Sequence, residues 1–451
     1  MTFWRKGKIA GVITCLTVMM ASGQDVGQYL TVDEEKDKAK ETGIHIKHFG
    51  MGSYEFGQIV KGQYRRASEP HVSELYRYWM QKALLQIGVE ATRNNGLSVI
   101  LAGEGMLHFP YARPSDGADE GYIYYQPRTT WYIHYALARI TFGDLENPFL
   151  RIGMGCFPFK YNKDGHNFGD YLFRMSTYPA YMPTSFDTPY QRLAGLHLTS
   201  WITESFRQDL MLTSEIYIWP LKDFSLTYLF NYNILQIADI GGGVKGDRLI
   251  SVEKSSTTPP ESRNPNRFTF RGVKLMGKVV FDIKNLFRYN EYFGKNDLKF
   301  YGEICLNGVE NYPIYDSTNL LYPGYNNRAK RLPFMLGFNI PTFKIMDVLS
   351  FEAEYWDHDF ANSYTNVYYE GLPPNPVLYS ESGHDQKYGG PWYWSVYAQK
   401  TILENLTFKL QFARDHTVIE TSLTGRSTGD PQEAMDGRGN WSWMFKIEFG
   451  F

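Results

Sequence analysis

Three groupings of residues in this chain have the types that do chemistry. Trp356-Asp357-His358-Asp359 sets a histidine between two carboxylates, the donors that hold a divalent cation. No second cluster at ligand spacing accompanies it, so a solvated loop start is the favoured reading. His108 and His197 have the side chain of a general base. No G-x-S-x-G, no P-loop and no H-E-x-x-H stands anywhere to supply a partner. No catalytic residue, metal site or cofactor is therefore assigned, and the chain is not read as an enzyme. The third grouping lies in Gly155–Pro183, where Lys160, Lys163, Asp164, His166, Asp170 and Arg174 stand among aromatics. Folded inward, such a segment narrows a passage. The competing reading is an external loop plus an ordinary strand.

Charge also recurs along the whole chain, at every second position. Acids so placed are Glu90, Glu104, Glu215, Glu303, Glu352, Glu354 and Glu448; bases are Arg151, Lys274, Lys278, Lys299, Lys409 and Lys446. Rows of opposite sign across a water-filled lumen order water and admit small polar solutes. The alternative is that they simply pair and stiffen a polar interior. The two signs nearly balance, so strong anion selectivity is not expected.

These charges are positioned by strands. Leu406, Phe408, Leu410 and Phe412 oppose Thr407, Lys409 and Gln411, and Leu85, Ile87, Val89 and Ala91 oppose Gln86, Gly88, Glu90 and Thr92. Period two means one apolar and one polar face. Trp131–Gly143 alternates without a settled register. Connections alternate between short turns (Arg93–Gly96, Asp144–Pro148, Pro220–Asp223, Met346–Val348, Leu403–Asn405) and long loops (Tyr111–Thr129, Ile237–Arg267, Gly308–Arg331, Asp359–Pro391, Asp415–Gly439). Parity requires Gly169–Met175 to be a strand or an inward excursion, Ile44–Val60 to be one long strand, and Thr203–Gln208 to be a short external loop. The expected fold is all-β, an antiparallel up-and-down barrel of about 16 strands (range about 14–18).

The N-terminus reads as a secretion signal: basic Arg5, Lys6 and Lys8, an apolar Ile9–Met20, and Ala21-Ser22-Gly23 as the cleavage site. Residues 1–23 are thus the signal peptide, 24–42 a charged periplasmic extension and 43–451 the barrel. Losing the signal takes the formal charge from −2 to −5, which gives no reason to expect nucleic acid. Aromatics are 16% of the chain, enough to girdle a wall at two membrane interfaces. Cys156 is placed toward lipid and Cys305 toward the lumen, which argues against a disulfide.

The last stretch carries a resemblance. Trp441, Trp443, Phe445, Ile447, Phe449 and Phe451 share one face, opposite Ser442, Met444, Lys446, Glu448 and Gly450. With the signal and the strand–turn–strand–loop rhythm, the chain resembles a Gram-negative outer-membrane β-barrel of the porin-like type. The resemblance implies an outer-membrane pore or transporter and contact with outer-membrane lipid. It also implies that barrel-assembly machinery reads Trp441, Phe449 and Phe451, and homo-oligomers are common in such families. Two functions stay open: a channel for small polar solutes, and a structural or surface-binding barrel whose long loops, such as Tyr364–Tyr379, bind glycans.

Overall fold

The computed structural model describes residues 43–65, 72–93, 96–109, 128–144, 147–175, 186, 190–215, 224–250, 272–287, 290–309, 327–357, 390–420, 431–435 and 437–451. The signal, the extension and Tyr364–Tyr379 lie outside them.

Sixteen antiparallel strands close into one barrel. In chain order they are β1 (Ile44–Arg65), β2 (Val72–Arg93), β3 (Leu97–His108), β4 (Arg128–Gly143), β5 (Pro148–Phe159), β6 (Gln191–Thr203), β7 (Phe206–Glu215), β8 (Phe224–Ile234), β9 (Ala238–Ile250), β10 (Gly272–Asp282), β11 (Lys299–Leu306), β12 (Phe334–Asn339), β13 (Val348–Tyr355), β14 (Trp392–Ile402), β15 (Leu406–Arg414) and β18 (Trp441–Gly450). A two-stranded sheet, β16 (Val418–Glu420) with β17 (Pro431–Glu433), stands in the last long loop. Each strand pairs with its sequence neighbours, and β18 pairs with β1. The seam is closed to its end: Gly50 and Phe451 exchange backbone hydrogen bonds at 2.8 and 3.1 Å. Among the described residues no helix is long and apolar enough to cross a membrane. Closure leaves no unpaired edge, which is what a sheet in hydrocarbon needs.

Burial is inverted relative to a water-soluble protein. Ile87, Leu101 and Met154 are 55%, 53% and 66% exposed on the outside, while Glu104, Lys274 and Glu352 are 0% exposed on the inside. The sheet turns its apolar face out and its polar face in, as a barrel wall in lipid must. Cys156 and Cys305 are free thiols, the second buried in the interior.

About sixteen strands are expected and sixteen observed, but one member differs, and of the two readings of Gly169–Met175 the inward excursion is the one found. Residues 169–175 form no strand; they hold a single helical turn, α1 (Tyr171–Arg174), inside the barrel. The missing strand is β9, in a stretch expected to be loop. Its inward positions include Gly241 and Gly243, so it lacks the alternation of large side chains that marks the others. The parity of the turns is corrected accordingly. The β6–β7 link at 204–205 belongs to the short-turn end, not outside, and the β7–β8 link containing Pro220–Asp223 belongs to the long-loop end.

The unsettled register of β4 also has a cause. Gly103 pairs with Ile133 but Ala102 pairs with Tyr135, so His134 is a bulge residue. Trp131 and Ile133 point outward before it, and Leu137 points inward after it. One extra residue flips the parity of the strand.

Candidate functional site: a segment folded into the lumen

The connection from β5 to β6 enters the barrel. Tyr161, Asn167, Phe168, Tyr171, Leu172, Phe173 and Met175 are all buried there. They pack against wall residues that also face inward, including Leu229, Met276, Tyr301, Cys305, Met335 and Tyr393. Part of the interior is therefore an apolar core.

Two wall carboxylates anchor the segment through its backbone. Glu352 on β13 accepts from the amides of His166 (2.6 Å), Asn167 (2.9 Å) and Phe168 (3.0 Å), and from the Tyr301 hydroxyl (2.9 Å). Glu303 on β11 accepts from the amides of Asp170 (2.9 Å) and Tyr171 (2.8 Å) and from the Asn162 side chain (3.0 Å). Hydrogen bonds to a charged acceptor contribute about 1.5–3 kcal/mol each, so these two residues are a main part of the attachment, beside the apolar contacts. Asp170 turns back to accept from the amides of Tyr161 and Asn162 at 3.1 and 2.7 Å.

Local conformation makes this possible. Gly169 and Asp170 both lie in the left-handed region, at φ 91° and 58°, which turns successive amides toward one acceptor. A Cβ on Gly169 would stand 2.9 Å from a Glu303 carboxylate oxygen. On the wall, a Cβ on Gly241 would meet the Tyr161 hydroxyl at 2.2 Å, and one on Gly243 would meet Leu172 at 3.1 Å. The glycines of β9 form the floor on which the segment rests. Tyr161 then donates to the Phe230 carbonyl at 2.5 Å.

The charged residues of the segment divide by position. Lys160 donates to the Gly165 carbonyl, and burial lowers its pKa to about 8 against the pull of Asp170. His166 stacks flat on Tyr397, centroids 4.5 Å apart; burial, with Lys160 beside it, lowers its pKa to about 3, so it is neutral. Arg174 donates to the Asn167 carbonyl at 2.7 Å. Lys163 is exposed, and Asp164 reaches Lys299 at 2.9 Å.

The other inward charges are mostly paired or held. Arg139 meets Glu90 at 2.5 Å, Arg192 meets Glu104, and Lys446 and Lys409 share Glu448. Lys274 donates to the Met175 carbonyl, and Lys278 lies 4.3 Å from the centre of the Tyr161 ring. Glu303, Glu352 and Glu354 do not line open water; all three hold the segment or its surroundings. The Glu215 side chain lies outside the described residues, as does that of His108. His197 shares Asp209 with Thr199 and Arg207.

Trp356 is not a solvated loop start: it is buried at the rim against His416. Asp357 pairs with Lys330, and His358 and Asp359 lie outside the described residues. Among the described residues no group of metal-binding side chains converges.

His416 closes the long-loop end of this wall. Its Nε2 meets Glu354 at 2.6 Å and its Nδ1 meets Glu433 of β17 at 3.0 Å. Burial lowers its pKa, but Glu433 and Glu354 outweigh that and raise it to about 9. The unfolded value is near 6.5. The stabilisation is therefore complete below about pH 6.5 and is lost as pH climbs through 9. The temperature at which the folded band disappears on a gel should fall over that window, and His416→Gln should flatten the dependence.

No protein-family profile matches the chain, and no curated protein sequence matches it. Among solved structures it is similar to Pseudomonas putida OprB, at 9% identity over 95% of this chain and 100% of that one, TM-score 0.45. It is also similar to a Rhodopseudomonas blastica porin triple mutant, at 8% identity over 90% of this chain and 100% of that one, TM-score 0.41. By its own architecture the chain is an all-β, antiparallel up-and-down barrel: sixteen closed strands with one long connection folded into the interior.

Proposed function

We propose that the chain is an outer-membrane pore for small polar solutes, narrowed by residues 160–175. The observation that carries this reading is the inverted wall, oily outside and charged inside, around an interior that one anchored segment fills only in part. A barrel of this strand number is wider than its own side chains can fill. The inserted segment is anchored on β8–β15, and half-buried polar groups such as Arg139, Arg151, His197 and Arg207 on β4–β7, with Asp239 at the short-turn end of β9, face the rest of the interior. In this reading the short-turn end faces the periplasm and the long loops face outward. Trp441, Phe449 and Phe451 serve recognition by the assembly machinery. The pore is tested by entry of small sugars into liposomes carrying the folded protein; exclusion of every sugar tried, at normal barrel folding, counts against it. The apolar cluster inside favours a second reading, a closed barrel that acts through its outer loops, and the same experiment separates the two.

A further inference from the structure

One patch of the interior, near the short-turn end, gathers three guanidiniums. Arg139 on β4, Arg151 on β5 and Arg207 on β7 all face inward, with Trp201 on β6 between the last two. The Arg151 guanidinium lies 5.3 Å from the Trp201 ring centre and that of Arg207 5.9 Å. The nearby carboxylates are already engaged. Glu90 takes Arg139, which also donates to Ser98 at 3.1 Å. Asp209 takes Arg207 at 3.0 Å, His197 at 2.8 Å and Thr199 at 2.7 Å.

Arg151 is left over. Among the described residues it makes no hydrogen bond and no ion pair, and its Nε is buried without a partner, as is that of Arg207. Arg139 and Arg207 act on it as like charges, against the attraction of Glu90. A guanidinium keeps its charge in such company. The guanidinium lies over the Trp201 ring, a contact that uses its charge but none of its N–H donors. Across from it, Lys163 on the inserted segment is within electrostatic reach of Arg207 and Asp209. A chain that is acidic as a whole thus has a basic spot inside, built of forks that match planar oxyanions.

We propose that Arg151 and Arg207, which flank Trp201, together with Arg139 on the neighbouring strand, bind the oxyanion group, carboxylate or phosphate, of a solute in the lumen. This inference rests on the pore reading for its purpose but not for its test. The full chain, folded in detergent at low ionic strength, is titrated calorimetrically with inorganic phosphate and separately with acetate. Saturable binding is expected, with Arg151→Gln raising the dissociation constant at least about tenfold, about 1.4 kcal/mol. Lys344→Gln, in a turn far from the patch, should bind as the parent does. Binding of both anions makes the site a general oxyanion site, and binding of phosphate alone narrows it to phosphate. Arg207→Gln serves as a second variant should Arg151→Gln lose the heat-modifiable folded band. Absence of saturable binding by the parent, or parental affinity in a folded Arg151→Gln or Arg207→Gln, overturns the proposal. A protein that binds the anion yet admits no sugar keeps the site and loses the pore.

Discussion

Glu303→Gln combined with Glu352→Gln should free the inserted segment and expose Cys305. That thiol sits buried beneath the segment, beside Asn307, whose side-chain amide contacts the Met175 sulfur at 3.0 Å. Five backbone amides and two side-chain donors converge on the two carboxylates. Glutamine keeps the shape but removes the charge, and its own N–H groups then confront donors. Each charged hydrogen bond lost costs about 1.5–3 kcal/mol, so the anchor fails before the barrel does. Labelling of Cys305 by a charged maleimide should speed up about tenfold for every 1.4 kcal/mol of anchoring lost. Cys156 faces outward on β5, shielded from a charged reagent by lipid or detergent. Labelling that stays as slow as in the parent would show that the segment is held by its apolar contacts instead.

The second large effect concerns the outer face. Met154, midway along β5, is among the most exposed hydrophobic side chains of the barrel. On a protein surface in water, Met154→Arg would be close to neutral. On a wall in hydrocarbon it should cost about 2–4 kcal/mol. Urea titration of folding into lipid vesicles measures this directly. A change within experimental error of zero would mean that the outer face does not meet lipid. Thr227→Arg would not serve as the matched comparison, because that residue is fully buried inside; an exposed position in a turn, such as Lys344→Arg, does.

Much of the wall was legible in the sequence because alternation is strong wherever the outer face is apolar and the inner face polar. β15 and β18 show it without interruption, and Glu90, Glu104, Lys274 and Lys446 fall inside as their parity requires. β9 was illegible because its inward positions give up side chains to make room for Tyr161 and Leu172. β4 was ambiguous because a bulge at His134 changes its parity midway. Met211, Leu229 and Met335 face inward, against the rule that the lumen side is polar, because they pack on the inserted segment. The cluster of charge from Lys160 to Arg174 drew attention to the right stretch for an incomplete reason. Its attachment is made by backbone amides on wall acids, and an amide has no letter in a sequence. The glycine before Asp170 was the available signal, since two left-handed residues in succession turn amides toward one acceptor.

Single-channel recording in planar bilayers tests the central claim most directly, with the parent protein and the Glu303→Gln, Glu352→Gln variant side by side. The account predicts discrete open steps for the parent and steps roughly two- to threefold larger for the variant, because the segment obstructs part of a water-filled lumen. Folded barrels of both forms that stay electrically silent would contradict it.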